Sequence, residues 1–184
     1  MNYRWMNLIL IFVMMFLTLS LILFEYNSNR LFTYIMMFPL LIVPFVASGT
    51  KYQLGVQDLF WYYLFIFFAY FLGGVMDFYN QISWYDLLVH FMSGIFSFSI
   101  GQFILKKWSS ECLSFWNKMI FGLFVVMFVA GIWELFEYSV DFLFGFDFQH
   151  QMDTGVVDTM EDILVAFLAG ILSVIGHSIY CKIN

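Results

Sequence analysis

The chain has 184 residues, 63% hydrophobic and only 11% charged, with a formal net charge of −6 and a mean hydropathy of +0.88. Soluble domains carry roughly a quarter charged residues, so this composition excludes an ordinary water-soluble fold and requires lipid as solvent. So acidic a chain also argues against nucleic acid as a partner.

Arg4 precedes an apolar run of about twenty residues, longer than the roughly 7–15 of a secretory core and without a small-x-small cleavage site, so it is expected to be an uncleaved first span. Further runs predict spans at about 6–24, 31–48, 59–77, 85–105, 118–141 and 160–180, with Pro39 and Pro44 kinking the second. The runs Met6–Phe24 and Phe60–Phe71 do not alternate apolar with polar residues, which disfavours a barrel. The expected fold class is an all-α integral membrane protein, a polytopic bundle of about six transmembrane helices forming a single membrane domain over residues 1–184.

The breaks between spans alternate between two sides. Arg4, Lys51, Lys106, Lys107, Lys118 and Lys182 fall on one, and Arg30 alone on the other, so the first side is expected to be cytoplasmic, with both termini there. Asp58 and Glu111 share it, whereas the other eleven acids, from Glu25 to Asp162, lie at or near the outer face. Cys112 and Cys181 fall on the reducing side and are expected to be free thiols. Trp84, Tyr85, Tyr79, Trp133 and Tyr138 at the outer ends, and Trp61, Tyr62, Trp108 and Trp116 at the inner ends, read as interfacial belts. Ser93, Ser97 and Gly101 in span four and Ala166 and Gly170 in span six recur every fourth residue, a spacing that lets backbones approach closely.

Ionisable groups enter the apolar spans in three places. Span four opens with Asp86 and His90 on one helical face, span five carries Glu134, Glu137 and Asp141, and span six opens with Asp158, Glu161 and Asp162. At about 1.5 Å rise per residue, His90 lies roughly 6 Å below Asp86 and Glu134 roughly 10 Å below Asp141, so one outward-opening pocket could collect them all. Ion pairing and hydrogen bonding between helices is the bland reading. Arg30 and a protonated His90 cannot neutralise so many acids, however, which leaves solvated or protonated carboxylates or a bound cation.

Asp86, His90, Glu134, Glu137, Asp141, Asp158, Glu161 and Asp162 are therefore the groups available to hold a cation or move a proton, with His90 read either as a metal ligand or acid–base group or as a satisfied core histidine. Several carboxylates and one imidazole favour Mg²⁺, Mn²⁺ or Ca²⁺ over Zn²⁺. His150 could add a second imidazole or be a solvated loop residue, and His177, toward the cytoplasmic end of span six, reads as unrelated. The loop Phe142–Val157, with Phe142, Phe144, Phe146 and Phe148 alternating, reads either as an exposed connection or as an interfacial segment capping the pocket. HExxH, GxSxG, P-loop and dinucleotide fingerprints are missing, as is a histidine-rich di-iron set.

The segments WYDLLVHFMSG (84–94), WELFEY (133–138) and DTGVVDTMEDILVAFLAG (153–170) resemble the VanZ-like superfamily of small bacterial membrane proteins, especially its YjdF-type branch. The resemblance implies carrying over Asp86, His90, Glu134, Glu137, Asp158 and Asp162 as the candidate metal ligands, with His90 and Glu134 as candidate acid–base groups, and points to a role in the cell envelope, with membrane lipids or a lipid-linked precursor as partners. The chain departs from VanZ proper at Leu87, where a basic residue is usual, and in having acids at Glu137 and Asp162. Alongside a pocket for a cation or an envelope-lipid head group, a cation- or proton-coupled transporter and a non-catalytic interaction subunit are the competing function classes.

Overall fold

The computed structural model describes residues 56–108, 113–149 and 151–183, together with Trp5, Phe12 and Leu19. Those three isolated residues are helical and exposed; otherwise the expected first two spans, with Pro39 and Pro44, lie outside the described residues, as does His150. Every regular element described is helical, and among the described residues three helices are long and apolar enough to cross a membrane: Tyr85–Trp108, Phe115–Phe144 and Val157–Ile179. The chain divides into two compact units, Met1–Tyr85 and Asp86–Asn184.

In the first unit, α1 (Val56–Ile66) buries Leu59, Tyr63 and Ile66, at the four- and three-residue steps of one helical face, and exposes Phe60 and Trp61. It runs into a π-helical stretch, Phe67–Val75, where the buried side continues through Ala69 and Tyr70. At Gly73 the Tyr79 ring packs where a Cβ would stand, so a larger residue would displace that ring. The helix stops at Val75, two residues short of the expected span end, because Asp77 adopts a left-handed conformation (φ 67°) and turns the chain. Aspartate tolerates that region better than most residues. Its carboxylate accepts from Asn80 Nδ2 at 2.8 Å, and Gln81 Nε2 donates to the Met76 carbonyl at 3.0 Å, fixing the one-turn α2 (Phe78–Gln81).

Tyr85 departs from its expected place in an aromatic belt. It is 3% exposed, packs edge-on against Phe78 and Tyr79, and donates its hydroxyl to the Phe68 carbonyl at 2.9 Å. Trp84 is exposed, as an interfacial ring would be.

The second unit comprises α3 (Tyr85–Trp108, all but its first residue), α4 (Phe115–Phe144), α5 (Gln151–Thr154) and α6 (Val157–Ile183), with α3, α4 and α6 corresponding to expected spans four, five and six. Each long helix outruns its expected span by three residues at one end or both. For α4 the reasons are local. Ser114 caps its start by accepting from the Asn117 amide at 3.2 Å, and Gly145 (φ 70°) ends it, with its amide on the Asp141 carbonyl at 2.9 Å. Asp86 and Asp158 sit in the first turns of α3 and α6, and Lys106 and Lys107 in the last turn of α3, complementing the helix dipoles.

Small residues close the three helices on one another. A Cβ on Gly94 would overlap the Ala166 carbonyl oxygen, so α3 and α6 touch backbone to backbone there. On Gly101 it would come within 3.1 Å of the Gly122 Cα, and on Gly170 within 3.1 Å of Leu123, bringing α4 against both neighbours. Phe98, Met119, Val126, Ala130 and Ala166 form the apolar core along this seam. In hydrocarbon such close approach replaces the missing hydrophobic drive with dispersion contact. The outward faces, with Phe124, Phe128, Leu135, Leu164 and Leu172 exposed, are those of helices solvated by lipid.

Candidate functional site

The same helical spacing that places small residues on the seam places ionisable groups at one end of it. On α4, Gly122, Val126, Ala130 and Glu134 follow one another at four-residue steps and all are buried. On α3, Asp86 and His90 precede Gly94 by eight and four residues, and on α6, Asp162 precedes Ala166 by four. Closing the glycine and alanine contacts therefore draws the polar faces together whether or not they attract one another.

The tightest group is Asp86, His90 and Asp162. His90 Nε2 lies 3.5 Å from Asp86 Oδ1 and 3.7 Å from Asp162 Oδ2, both longer than a good hydrogen bond. One ligand atom from each residue lies within 4.8 Å of the others. Two atoms sharing an ion at bonds of about 2.0–2.6 Å can be at most about 4–5 Å apart, so this spacing admits a cation. Asp162 is 2% exposed and His90 5%.

Glu134, 5% exposed, is held differently. Gln149 Nε2 lies 3.2 Å from the Glu134 carbonyl oxygen, 3.4 Å from Glu134 Oε2 and 3.2 Å from Thr159 Oγ1, so it ties α4 to α6 beside this carboxylate. Trp133 Nε1 donates to Glu137 Oε1 at 2.8 Å, so the ring expected in a belt serves the acid one turn on. Glu137 lies within electrostatic range of Glu134, Asp86 and Asp162, and Asp162 within range of Asp86, Asp158, Glu134 and Glu161. All six candidate ligands thus share one end of the second unit. Two buried carboxylate oxygens in this group, Asp162 Oδ1 and Glu134 Oε1, have no hydrogen-bond partner.

Other acids have structural roles. Asp141 accepts from the Phe148 amide at 2.8 Å through Oδ1 and from the Gln149 amide at 3.0 Å through Oδ2, while Asp147 accepts from the Met152 amide at 3.2 Å. The loop after α4 is accordingly folded back on its own helix, with Gln149 7% exposed. His177 stacks on Phe115 at the opposite end of the helices. Gln149 and Thr159 were not singled out from the sequence: no periodicity marks a loop glutamine, and its partner on α4 lies fifteen residues away.

A family model described as predicted membrane protein (DUF2238) matches residues 6–182. The chain belongs to that family. Membership of DUF2238 covers both units, the first two expected spans included, and agrees with the apolar helices as membrane-crossing elements. No curated protein and no solved structure matches this DUF2238 chain significantly.

Proposed function

We propose that this DUF2238 protein is a six-span cell-membrane protein, VanZ-like over residues 84–170, with both termini cytoplasmic. In this reading Asp86, His90 and Asp162, assisted by Glu134, Glu137 and Asp158 on the outer side, hold a divalent cation that engages the polar head group of an envelope lipid or lipid-linked precursor. The observation that carries it is the gathering of three ligand atoms within 4.8 Å beside two buried carboxylate oxygens that bond nothing. Leaving a buried acceptor unsatisfied costs about 1–3 kcal/mol, more for a charged group, and a cation would remove that cost. Two carboxylates and one imidazole suit Mn²⁺ and also admit Mg²⁺ or Ca²⁺. The described lysines Lys106, Lys107, Lys118 and Lys182 sit at the other ends of their helices, so an anionic head group here would meet its positive charge in the bound ion.

Elemental analysis of the detergent-purified protein tests this. About one divalent ion per chain is expected, lost in folded His90→Ala and Asp162→Asn variants. A parent protein that stays metal-free after Mn²⁺, Mg²⁺ and Ca²⁺ supplementation would remove the cation from the reading.

A further inference from the structure

The loop that joins α4 to α6 ties polar groups inward and leaves apolar side chains outward, the reverse of a loop bathed in water. Asp141 latches it, taking the Phe148 amide on Oδ1 and the Gln149 amide on Oδ2, and Asp147 takes the Met152 amide at 3.2 Å. Gln149 is buried, with its side chain on the Glu134 carbonyl and Thr159 Oγ1. The rings of Phe144, Phe146 and Phe148 touch in succession, from the exposed Phe144 towards that buried glutamine. Held in this shape, the loop leaves Phe142 77%, Met152 82% and Val156 67% exposed, with Val157 and Met160 also exposed where α6 begins.

Apolar side chains presented from a fixed surface mark a protein or membrane partner. Two observations name the partner here. The helices at either end of the loop are membrane-crossing, and their outward faces expose Phe128 and Leu135 on α4 and Leu164 and Leu168 on α6, so the loop continues surfaces already given to lipid. The sequence also carries no lysine or arginine between Lys118 and Lys182, so the loop has no basic group with which to grip an anionic surface and offers apolar contact instead. We infer that the loop after α4 seats in the membrane interface at the end of the helices away from the lysines, with Met152 and Val156 among the upper acyl chains. Its partner is the acyl–glycerol boundary of a lipid leaflet, and the seating needs no bound ion.

Depth is measured on the full-length protein in phospholipid nanodiscs. In a Cys112→Ser, Cys181→Ser background, a nitroxide is attached through Met152→Cys or Val156→Cys, with Phe128→Cys on α4 as the lipid-facing reference. Its collisions with oxygen, which concentrates in lipid, are compared with its collisions with a water-soluble nickel chelate. Oxygen should relax the label more than the chelate at both loop positions, as at Phe128, and the ratio should hold when anionic lipid is replaced by phosphatidylcholine. Dominance of the chelate at either loop position would place the loop in water and overturn the inference. A label reached by neither reagent would mean that protein covers it, a second copy of the chain included, and would overturn it equally. A ratio that collapses without anionic lipid would overturn the apolar character of the contact. Should the labelled variants fail to fold, hydroxyl-radical oxidation of the unmodified protein gives the same reading. Met152 should oxidise in nanodiscs as slowly as Met127 of α4 and quickly once the protein is unfolded; quick oxidation in nanodiscs would overturn the inference.

Discussion

Asp141 on α4 and Asp162 on α6 show how one residue type serves opposite purposes in neighbouring helices. Asp141 spends both oxygens on the amides of Phe148 and Gln149, whereas Asp162 keeps Oδ1 buried without a partner. The first is structural, and its replacement should be felt locally. Asp141→Asn keeps one acceptor oxygen but loses the charge and one bond, so it should cost about 1–2 kcal/mol and speed hydrogen exchange at the Phe148 and Gln149 amides. Exchange unchanged at those two amides would show that the latch does not hold the loop. Residue types and helical spacing gathered Asp86, His90, Glu134, Glu137, Asp141, Asp158, Glu161 and Asp162, because a three- or four-residue step can be read in any sequence, and the family resemblance narrowed them to six by leaving out Asp141 and Glu161. What spacing could not supply was the partition among them. That Asp86, His90 and Asp162 converge while Glu134 is held by Gln149 depends on contacts between positions far apart in the chain and on a loop with no period.

Helix by helix, the seam is set by glycines whose neighbours differ. A Cβ on Gly94 would overlap the Ala166 carbonyl, which is backbone and cannot rotate away, whereas a Cβ on Gly131 would meet nothing within 4 Å. Gly94→Ala should therefore destabilise by about 1–3 kcal/mol and separate α3 from α6. Gly131→Ala should be neutral or stabilising by up to about 1 kcal/mol, since it only restricts the unfolded chain and favours helix. Thermal unfolding in detergent compares the two directly, and equal effects would argue against backbone contact at Gly94. The four-residue recurrence of Ser93, Ser97, Gly101, Ala166 and Gly170 pointed to this packing, but Gly94, off that register by one, makes the closest approach. Ser93 instead returns its hydroxyl to the His90 carbonyl at 2.8 Å, within its own helix.

For the molecule as a whole, the distribution of lysine and arginine makes a statement about sidedness that the helices do not contain. Under the proposed topology Cys112 and Cys181 face the cytoplasm. A membrane-impermeant maleimide should label them after the cells are opened and leave them unmodified in intact cells; labelling of Cys112 in intact cells would reverse the orientation. Hydropathy made the apolar helices legible from Phe60 onward because lipid imposes one rule along the whole length of a span. The π-helical stretch Phe67–Val75 escaped that rule, since widening a turn changes hydrogen-bond register without changing polarity.

At 30 residues, α4 is about 45 Å long, against a hydrocarbon layer of about 30 Å. Centred in that layer, it would carry Glu134 and Glu137 within the oily slab and leave Asp141 and the folded-back loop at the level of the head groups. Tilt or local thickening would draw more of the helix inside, and a thinner membrane would do the reverse. The depth of the carboxylates, and with it the dehydration any ligand must undergo to reach them, is then a property shared between the protein and the thickness of the membrane that holds it.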